Sequence, residues 1–258
     1  MTKAIKAWGQ HWLKDMTALI QLVELAEVEK TDSVLEIGPG QGDLTRQLLK
    51  SARRVIAVEI DSRLAAALRR SFSGAELEVV NQDILGYDLK SLPPGYKVVA
   101  NLPYNLTAPI IQKLINVGRP GLIVLLLQKE VAERLAAGPG NLSMLALSVQ
   151  LYYRVELGPM LPARLFQPTP KVDSRAIKLR RLAKTGTKVE PEKLLKLAKI
   201  GFAMKRKTLA NALSAGRHQP RAEIIDALTA ASLPSRIRAQ DLSLADWQRL
   251  YDKLYNYD

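Results

Sequence analysis

Three short segments carry side chains whose types and spacing could do chemistry. The first, Leu35-Glu36-Ile37-Gly38-Pro39-Gly40-Gln41-Gly42, sets three glycines after an apolar run. Glycine there lets a backbone approach a ligand closely and adopt dihedrals closed to other residues. The spacing is G-x-G-x-G, not the G-x-G-x-x-G of a dinucleotide site, and the intervening proline and the acid inside the strand fit such a site poorly. Glycine also serves tight strand–helix turns for structure alone. Two acids downstream add weight. Glu59 ends a second apolar run, where a carboxylate can accept both hydroxyls of a ribose. Asp83, in Val80-Asn81-Gln82-Asp83-Ile84, could accept from an adenine amine. Alone, Glu59 is a surface carboxylate and Asp83 a helix cap. With Gly38 and Gly40 the set reads as an S-adenosylmethionine site.

The second segment, Asn101-Leu102-Pro103-Tyr104, suits a planar aromatic amine. The Asn101 side-chain oxygen and the Leu102 or Pro103 carbonyl can accept both hydrogens of an exocyclic amino group, and Tyr104 can stack on the ring. Those acceptors would draw the nitrogen lone pair out of ring conjugation. No strong general base is needed, because the proton can leave after methyl transfer. The competing reading is a plain turn of Asn and Pro with a packing Tyr. A base inside RNA must be unstacked to reach such a site. The third segment, Leu165-Phe166-Gln167-Pro168-Thr169-Pro170-Lys171-Val172-Asp173-Ser174, offers Phe166 as the second aromatic holding it; the alternative for Phe166 is a core plug.

The elements that must position these residues alternate short apolar runs with amphipathic segments. Strands are predicted at Ser33–Ile37, Arg54–Glu59, Leu77–Val80, Lys97–Asn101 and Leu122–Leu127, and helices at 42–50, 62–70 and 108–117. The all-apolar 122–127 run fits a central parallel strand covered on both faces. Repeated strand–helix units imply an α/β, doubly wound sheet with acids and glycines on its carboxyl edge. Beyond residue 136 the spacing predicts a helix over 143–153, extended chain over 155–161 and a strand over 174–182, the last two an antiparallel pair at one sheet edge. Lys184-Thr185-Gly186-Thr187-Lys188 has linker composition. One long basic helix over 191–213 and further helices over 221–231 and 243–255 follow. The domains predicted are 1–182, the cofactor-binding sheet, and 183–258, a small all-α basic domain.

Charge and composition narrow the function classes. The chain has 258 residues and a formal net charge of +13, and residues 171–221 hold 15 Lys or Arg against 3 Asp or Glu. Such a patch attracts polyanions, nucleic acid first among them; the alternative is a solvated lysine-rich helix face. There is no cysteine, which excludes disulfides, thiolate metal sites and a cysteine nucleophile. His11 and His218 are the only histidines, so no metal site is expected. The 122–127 run is too short to span a bilayer, and residues 1–6 lack the apolar core of a signal peptide. A cytoplasmic protein without membrane association is the expectation.

Taken in order, the motifs resemble the ribosomal RNA adenine dimethyltransferases, the kasugamycin-sensitivity enzymes and their archaeal and eukaryotic relatives. The resemblance runs from Gly9-Gln10-His11-Trp12-Leu13-Lys14-Asp15 through Glu36-Ile37-Gly38-Pro39-Gly40, Glu59-Ile60-Asp61, Asn101-Leu102-Pro103-Tyr104-Asn105 and Gln128-Lys129-Glu130-Val131. It continues over the Phe166–Ser174 segment and ends at Phe202-x-x-Lys205-Arg206-Lys207-Thr208-Leu209. It implies a Rossmann-like seven-stranded methyltransferase sheet with one reversed strand and a helical C-terminal domain. It implies two successive methylations of each of two adjacent adenosines in the 3′-terminal hairpin of 16S ribosomal RNA, within an immature 30S subunit, by a monomer. On the matching motifs His11, Leu13, Gly38, Gly40, Glu59, Ile60, Asp83, Ile84 and Asn101 would bind S-adenosylmethionine. Asn101, Leu102, Pro103, Tyr104 and Phe166 would act on the base, and Lys171, Lys205, Arg206 and Lys207 would bind RNA. Three positions depart from the family pattern. Trp12 replaces a Phe, His11 a frequent Asn, and Lys205 an Arg, which keeps charge but loses a bidentate phosphate contact.

Three other readings stay open on sequence. One is the related methylase of 23S ribosomal RNA that confers macrolide resistance; Gln128-Lys129-Glu130-Val131 and the 205–207 cluster argue for the 16S branch. Another is a non-catalytic ribosome-assembly factor, against which stand the intact Glu59, Asn101 and Tyr104. A nicotinamide dehydrogenase is the most distant.

Overall fold

The computed structural model describes residues 10–255; the reading of residues 1–6 and Gly9 of the first motif lie outside the described residues. The described chain forms two compact units. One comprises the chain up to Glu133 together with Val155–Arg181, and the other Arg134–Arg154 with the chain from Leu182 onward. The boundary predicted near residue 183 therefore misplaces residues 134–154. Leu142, Leu147 and Leu151 share a core with Leu194, Leu213 and Trp247, so that segment's apolar face is buried in the second unit.

The first unit opens with β1 (Trp12–Leu13) and α1 (Met16–Leu25), whose N-cap Asp15 accepts from the Ala18 amide. Then come β2 (Ser33–Ile37), α2 (Asp43–Ser51), β3 (Arg54–Glu59), α3 (Ser62–Ser71), β4 (Leu77–Asn81), β5 (Lys97–Asn101), α4 (Thr107–Lys113) and β6 (Leu122–Gln128). The helix predicted over 108–117 changes character at Leu114, where it widens into a single π turn ending at Gly118. α5 (Lys129–Ala136) and α6 (Met144–Gln150) follow, then β7 (Tyr153–Leu161), β8 (Phe166–Gln167) and β9 (Ser174–Arg181). The helix predicted to reach residue 153 stops at Gln150, and β7 starts two residues earlier than the sequence suggested.

The seven-stranded sheet has the order β4-β3-β2-β5-β6-β9-β7. β4, β3, β2, β5 and β6 are parallel, and β9 runs antiparallel to β6. From Leu122 to Leu127 β6 is buried throughout, as a strand covered on both faces requires. The chain steps from β2 outward to β3 and β4, then returns to place β5 on the other side of β2. That reversal opens a crevice beyond the carboxyl ends of β2 and β5.

The second unit is helical. α7 (Pro191–Phe202), α8 (Leu209–Arg217), α9 (Arg221–Ala230) and α10 (Leu244–Tyr255) pack with α6 around Leu197, Ile224, Leu228 and Leu250. The single helix predicted over 191–213 is broken. Thr208 caps α8 by accepting from the Asn211 amide, and a short hydroxyl side chain is better used there than inside a helix. The break leaves Ala203, Met204, Lys205, Arg206 and Lys207 on an exposed turn. Among the described residues no helix is long and apolar enough to cross a membrane.

Candidate active site

The crevice holds a cleft of about 730 Å3, its open mouth included. Its floor is built from strand ends: Ile37 at the end of β2 and Gly38 just after it, Val58 and Glu59 on β3, and Asn101 on β5. The glycine turn is fixed by backbone conformation. Gly38, Gly40 and Gly42 have φ of +64°, +59° and +85°. A Cβ on Gly38 would meet nothing within 4 Å, so its backbone faces open cleft, whereas one on Gly40 would lie 2.6 Å from the Trp12 indole nitrogen.

Glu59 is 3% exposed. Its Oε2 accepts from the Gly40 amide at 3.0 Å and its Oε1 from the Asp61 amide at 2.9 Å, which joins the glycine turn to the end of β3. Burial pushes the carboxyl above the ordinary carboxylate range, while those two amides hold it back. Each oxygen keeps a second lone pair for a ligand hydroxyl. Ile60, Asp83 and Ile84 also line the cleft. Asp83 spends Oδ1 on the Leu85 amide at 2.9 Å, so it caps a turn rather than the helix of the alternative reading, while still facing the cleft.

Asn101, Leu102, Pro103 and Tyr104 form one wall. The Asn101 Nδ2 donates to the His11 carbonyl at 2.8 Å, which orients the amide and leaves Oδ1 as its acceptor. Of the two carbonyls considered from sequence, that of Pro103 already accepts from the Leu106 amide at 3.1 Å and the Thr107 hydroxyl at 3.4 Å. Leu102 is therefore the better second acceptor. The Tyr104 hydroxyl bonds the buried Ser174 hydroxyl at 2.9 Å, and burial raises its pKa. One face of its ring is stacked by His11, with centroids 5.5 Å apart.

Residues 10–15 form a strap beside this wall. His11 Nδ1 donates to the Pro168 carbonyl at 2.7 Å, the Lys14 amide to the Leu165 carbonyl at 2.9 Å, and the Lys14 ammonium to Gln41 and Asp43 beside the glycine turn. β1 pairs with β8 so that Leu13 stands opposite Phe166. Both are 3% exposed and belong to the core under the strap. Neither lines the main cleft, but Leu13 lines a smaller cavity that shares Trp12, Gly38 and Asn101 with it. Phe166 is thus the core plug of the alternative reading: its aromatic surface is spent on Leu13 and its neighbours. Leu13 packs beneath the strap and borders the smaller cavity, whereas His11 lines the main cleft. Lys171, Lys205, Arg206 and Lys207 are all exposed. Among the described residues no group of three His, Asp or Glu is placed to hold a metal ion.

Three residues of the site escaped the sequence reading. Trp12, which stands where the family pattern has Phe, lies over Gly40 and lines the cleft. Ser174 ends its motif without an assigned role, yet it holds the Tyr104 hydroxyl. Glu36, quoted in the motif series without a role, is buried and lines the smaller cavity beside the glycine turn; its signal is a lone acid in the run Ser33-Val34-Leu35-Glu36-Ile37.

Comparison with known proteins gives a consistent set of relatives. The family described as Ribosomal RNA adenine dimethylase matches residues 1–255. The Ribosomal RNA small subunit methyltransferase A of Ligilactobacillus salivarius (strain UCC118) is 42% identical, over 96% of this chain and 89% of its own. That of Acaryochloris marina (strain MBIC 11017) is 38% identical, over 99% and 98%. Among solved structures, a dimethyladenosine transferase from Plasmodium falciparum superposes with a TM-score of 0.78 at 29% identity, covering 92% of this chain and 95% of that one. The 23S rRNA methyltransferase ErmE gives 0.77 at 30% identity, covering 94% and 99%.

Proposed function

This chain belongs to the ribosomal RNA adenine dimethylase family, and from that premise we propose that it transfers methyl groups from S-adenosylmethionine to the exocyclic amines of two adjacent adenosines in the 3′-terminal hairpin of 16S ribosomal RNA. The substrate is an immature 30S subunit in the cytoplasm, and the enzyme acts as a monomer. One observation carries the reading. The Asn101 amide is locked by the His11 carbonyl with its oxygen free, on the same cleft as a buried carboxylate at Glu59.

The cleft fits the cofactor. Glu59 would take the ribose hydroxyls, Asp83 the adenine amine, and Ile60 and Ile84 the faces of that ring. The open space over Gly38 gives the backbone room for a ligand to approach. When bound, S-adenosylmethionine supplies an electrophilic methyl group. The protein's part is to present the nitrogen. Asn101 Oδ1 and the Leu102 carbonyl accept the two N–H bonds of the target amine and turn its lone pair out of conjugation. Tyr104 offers the base the ring face that His11 leaves. No side chain need be a strong base, since the methylated amine is acidic enough to lose its proton to water. Lys171, Lys205, Arg206 and Lys207 hold phosphates.

The test is incubation with labelled S-adenosylmethionine and unmethylated 30S particles, followed by mass-spectrometric mapping. Dimethylation of two neighbouring adenosines near the 3′ end of 16S RNA supports the proposal; absence of label from that hairpin refutes it. The 23S reading has one observation in its favour, the close superposition on ErmE. The higher identity to the small-subunit enzymes weighs against it, and macrolide resistance on expression would reverse that choice.

A further inference from the structure

Helix α4 begins where the Asn101–Tyr104 wall ends, and one of its faces serves the other half of the cleft. Leu106, the residue just ahead of the helix, and Ile110 both line the cleft, together with Asp83 and Ile84. Lys113 completes an i, i+4, i+7 spacing, which puts it on the same side of the helix as Leu106 and Ile110. It is half-buried and lies beyond the cleft lining. Its ammonium donates to the Leu85 carbonyl at 2.7 Å and to the Tyr87 carbonyl at 2.6 Å.

The segment that Lys113 grips is the turn that carries Asp83. The Leu85 amide bonds Asp83 Oδ1, and the Gly86 and Tyr87 amides bond the Asp83 carbonyl at 2.9 and 3.1 Å. These bonds fold the turn upon Asp83, but all of them are internal to it. Lys113 joins the folded turn to α4 through two charge-assisted bonds, which are stronger than neutral ones. Asp83 itself is exposed, whereas Ile84 beside it is 7% exposed. A carboxylate on an exposed turn can meet an adenine amine only if the turn keeps its place relative to the apolar walls that hold the ring. The competing role for a lysine in the last turn of a helix is to offset that helix's own carbonyls. Here the ammonium goes to carbonyls 28 and 26 residues away instead.

Resting on the S-adenosylmethionine reading above, we infer that Lys113 is a positioning residue: it sets the Asp83–Tyr87 turn against the Leu106–Ile110 face and so fixes the preference of the cofactor slot for adenine. It acts through the turn and touches no ligand. The preference has a simple chemical basis. Adenine presents an N–H donor at its exocyclic position, which the Asp83 carboxylate can accept. Hypoxanthine presents an oxygen there, which the same carboxylate repels. A turn released from α4 would let Asp83 drift from both, and the distinction between the two purines would fade.

The experiment is titration calorimetry with S-adenosylhomocysteine and S-inosylhomocysteine, which differ only in the purine. The unaltered protein should bind the first about tenfold or more tightly, the scale of one hydrogen bond replaced by an unpaired acceptor. Lys113→Met keeps the length of the side chain without its ammonium. Checked for folding by its thermal melt, it should bind S-adenosylhomocysteine roughly tenfold more weakly and S-inosylhomocysteine almost as before, so that the ratio falls toward one. Lys113→Arg, which keeps the charge and the donors, should restore most of the ratio. Should the methionine variant not fold, Lys113→Gln carries the test: its one amide donor reaches a single carbonyl, and the ratio should drop by about threefold. A lysine that only stabilises the fold would weaken both ligands equally or lower the melt alone. An intact ratio in the variants therefore overturns the inference and leaves the cofactor reading standing. Equal binding of both ligands by the unaltered protein overturns the inference together with the role of Asp83. Failure of both to bind overturns the cofactor reading, and this inference with it.

Discussion

The side-chain amide of Asn101 is bonded to the backbone carbonyl of His11, 90 residues earlier in the chain. The residue expected to steer the target amine is thereby held by the strap along the cofactor cleft. Asn101→Ala should lower methyl transfer by about a hundredfold or more, the scale for losing one positioned acceptor. Cofactor affinity should fall by less than roughly tenfold, the cost of one neutral hydrogen bond. Single-turnover rates and calorimetry separate the two; equal losses would contradict the assignment.

Gly40 has a positive φ and the Trp12 indole lies where its side chain would go. Gly40→Ala adds about 1 kcal/mol of backbone strain and displaces the indole. Cofactor affinity should drop by roughly tenfold, since 1.4 kcal/mol is one decade. The double variant Trp12→Ala/Gly40→Ala should regain part of that loss, because only the strain remains. No recovery would show that the indole contact is not the obstacle.

Phe166 packs opposite Leu13 rather than on the cleft wall. Phe166→Ala should destabilise the protein by about 3–5 kcal/mol, the cost of emptying an aromatic site in a core. Denaturant titration reads this directly. A stability change under 1 kcal/mol, coupled to loss of RNA methylation, would return Phe166 to the role of base clamp.

Glu27 receives the Arg180 guanidinium and the Lys178 ammonium, which lower its pKa from an ordinary 4.5 to about 2. A depressed folded value means that the stabilisation is present above pH 4.5 and disappears as pH falls toward 2. Glu27 is 47% exposed, so screening limits the effect to about 1 kcal/mol at neutral pH. Glu27→Gln should therefore be less stable at pH 7, and its melting curve should converge on that of the unaltered protein in acid. A gap constant between pH 7 and 2.5 would rule the ion pair out as its source.

Lys205, Arg206 and Lys207 stand on the exposed turn between α7 and α8. Neutralising all three should weaken binding to 30S particles and reduce the salt slope by about 2–3, at roughly 0.7–0.9 per phosphate contact. Filter binding across a salt series measures it, and an unchanged slope removes these residues from the interface.

The parts of the site legible in the sequence share one property: they sit at the ends of strands whose limits are marked by composition. β2, β3 and β5 begin and end where predicted, because each apolar run is closed by glycine, acid or asparagine. What escaped depended on tertiary context. The α7–α8 break hides in continuous helical periodicity, since Thr208 acts as a cap only once the chain has turned. Phe166 looks the same whether it plugs a core or waits for a base; its pairing with Leu13, far away in sequence, decides between them. Glu36 reads as an interruption of an apolar strand until the recess in front of it is seen.

The path of the chain between its two units has a practical result. The helix α6 is reached before β7 and β9 are made, yet it supplies Leu147 and the adjoining Leu151 to the interior that holds Leu194 and Trp247. Severing the polypeptide after Leu182 therefore liberates no self-sufficient fragment. The carboxyl-terminal piece would lack one wall, and the amino-terminal piece would carry a greasy orphan. Chimaeras that exchange this module between relatives must transplant residues 134–154 along with the tail.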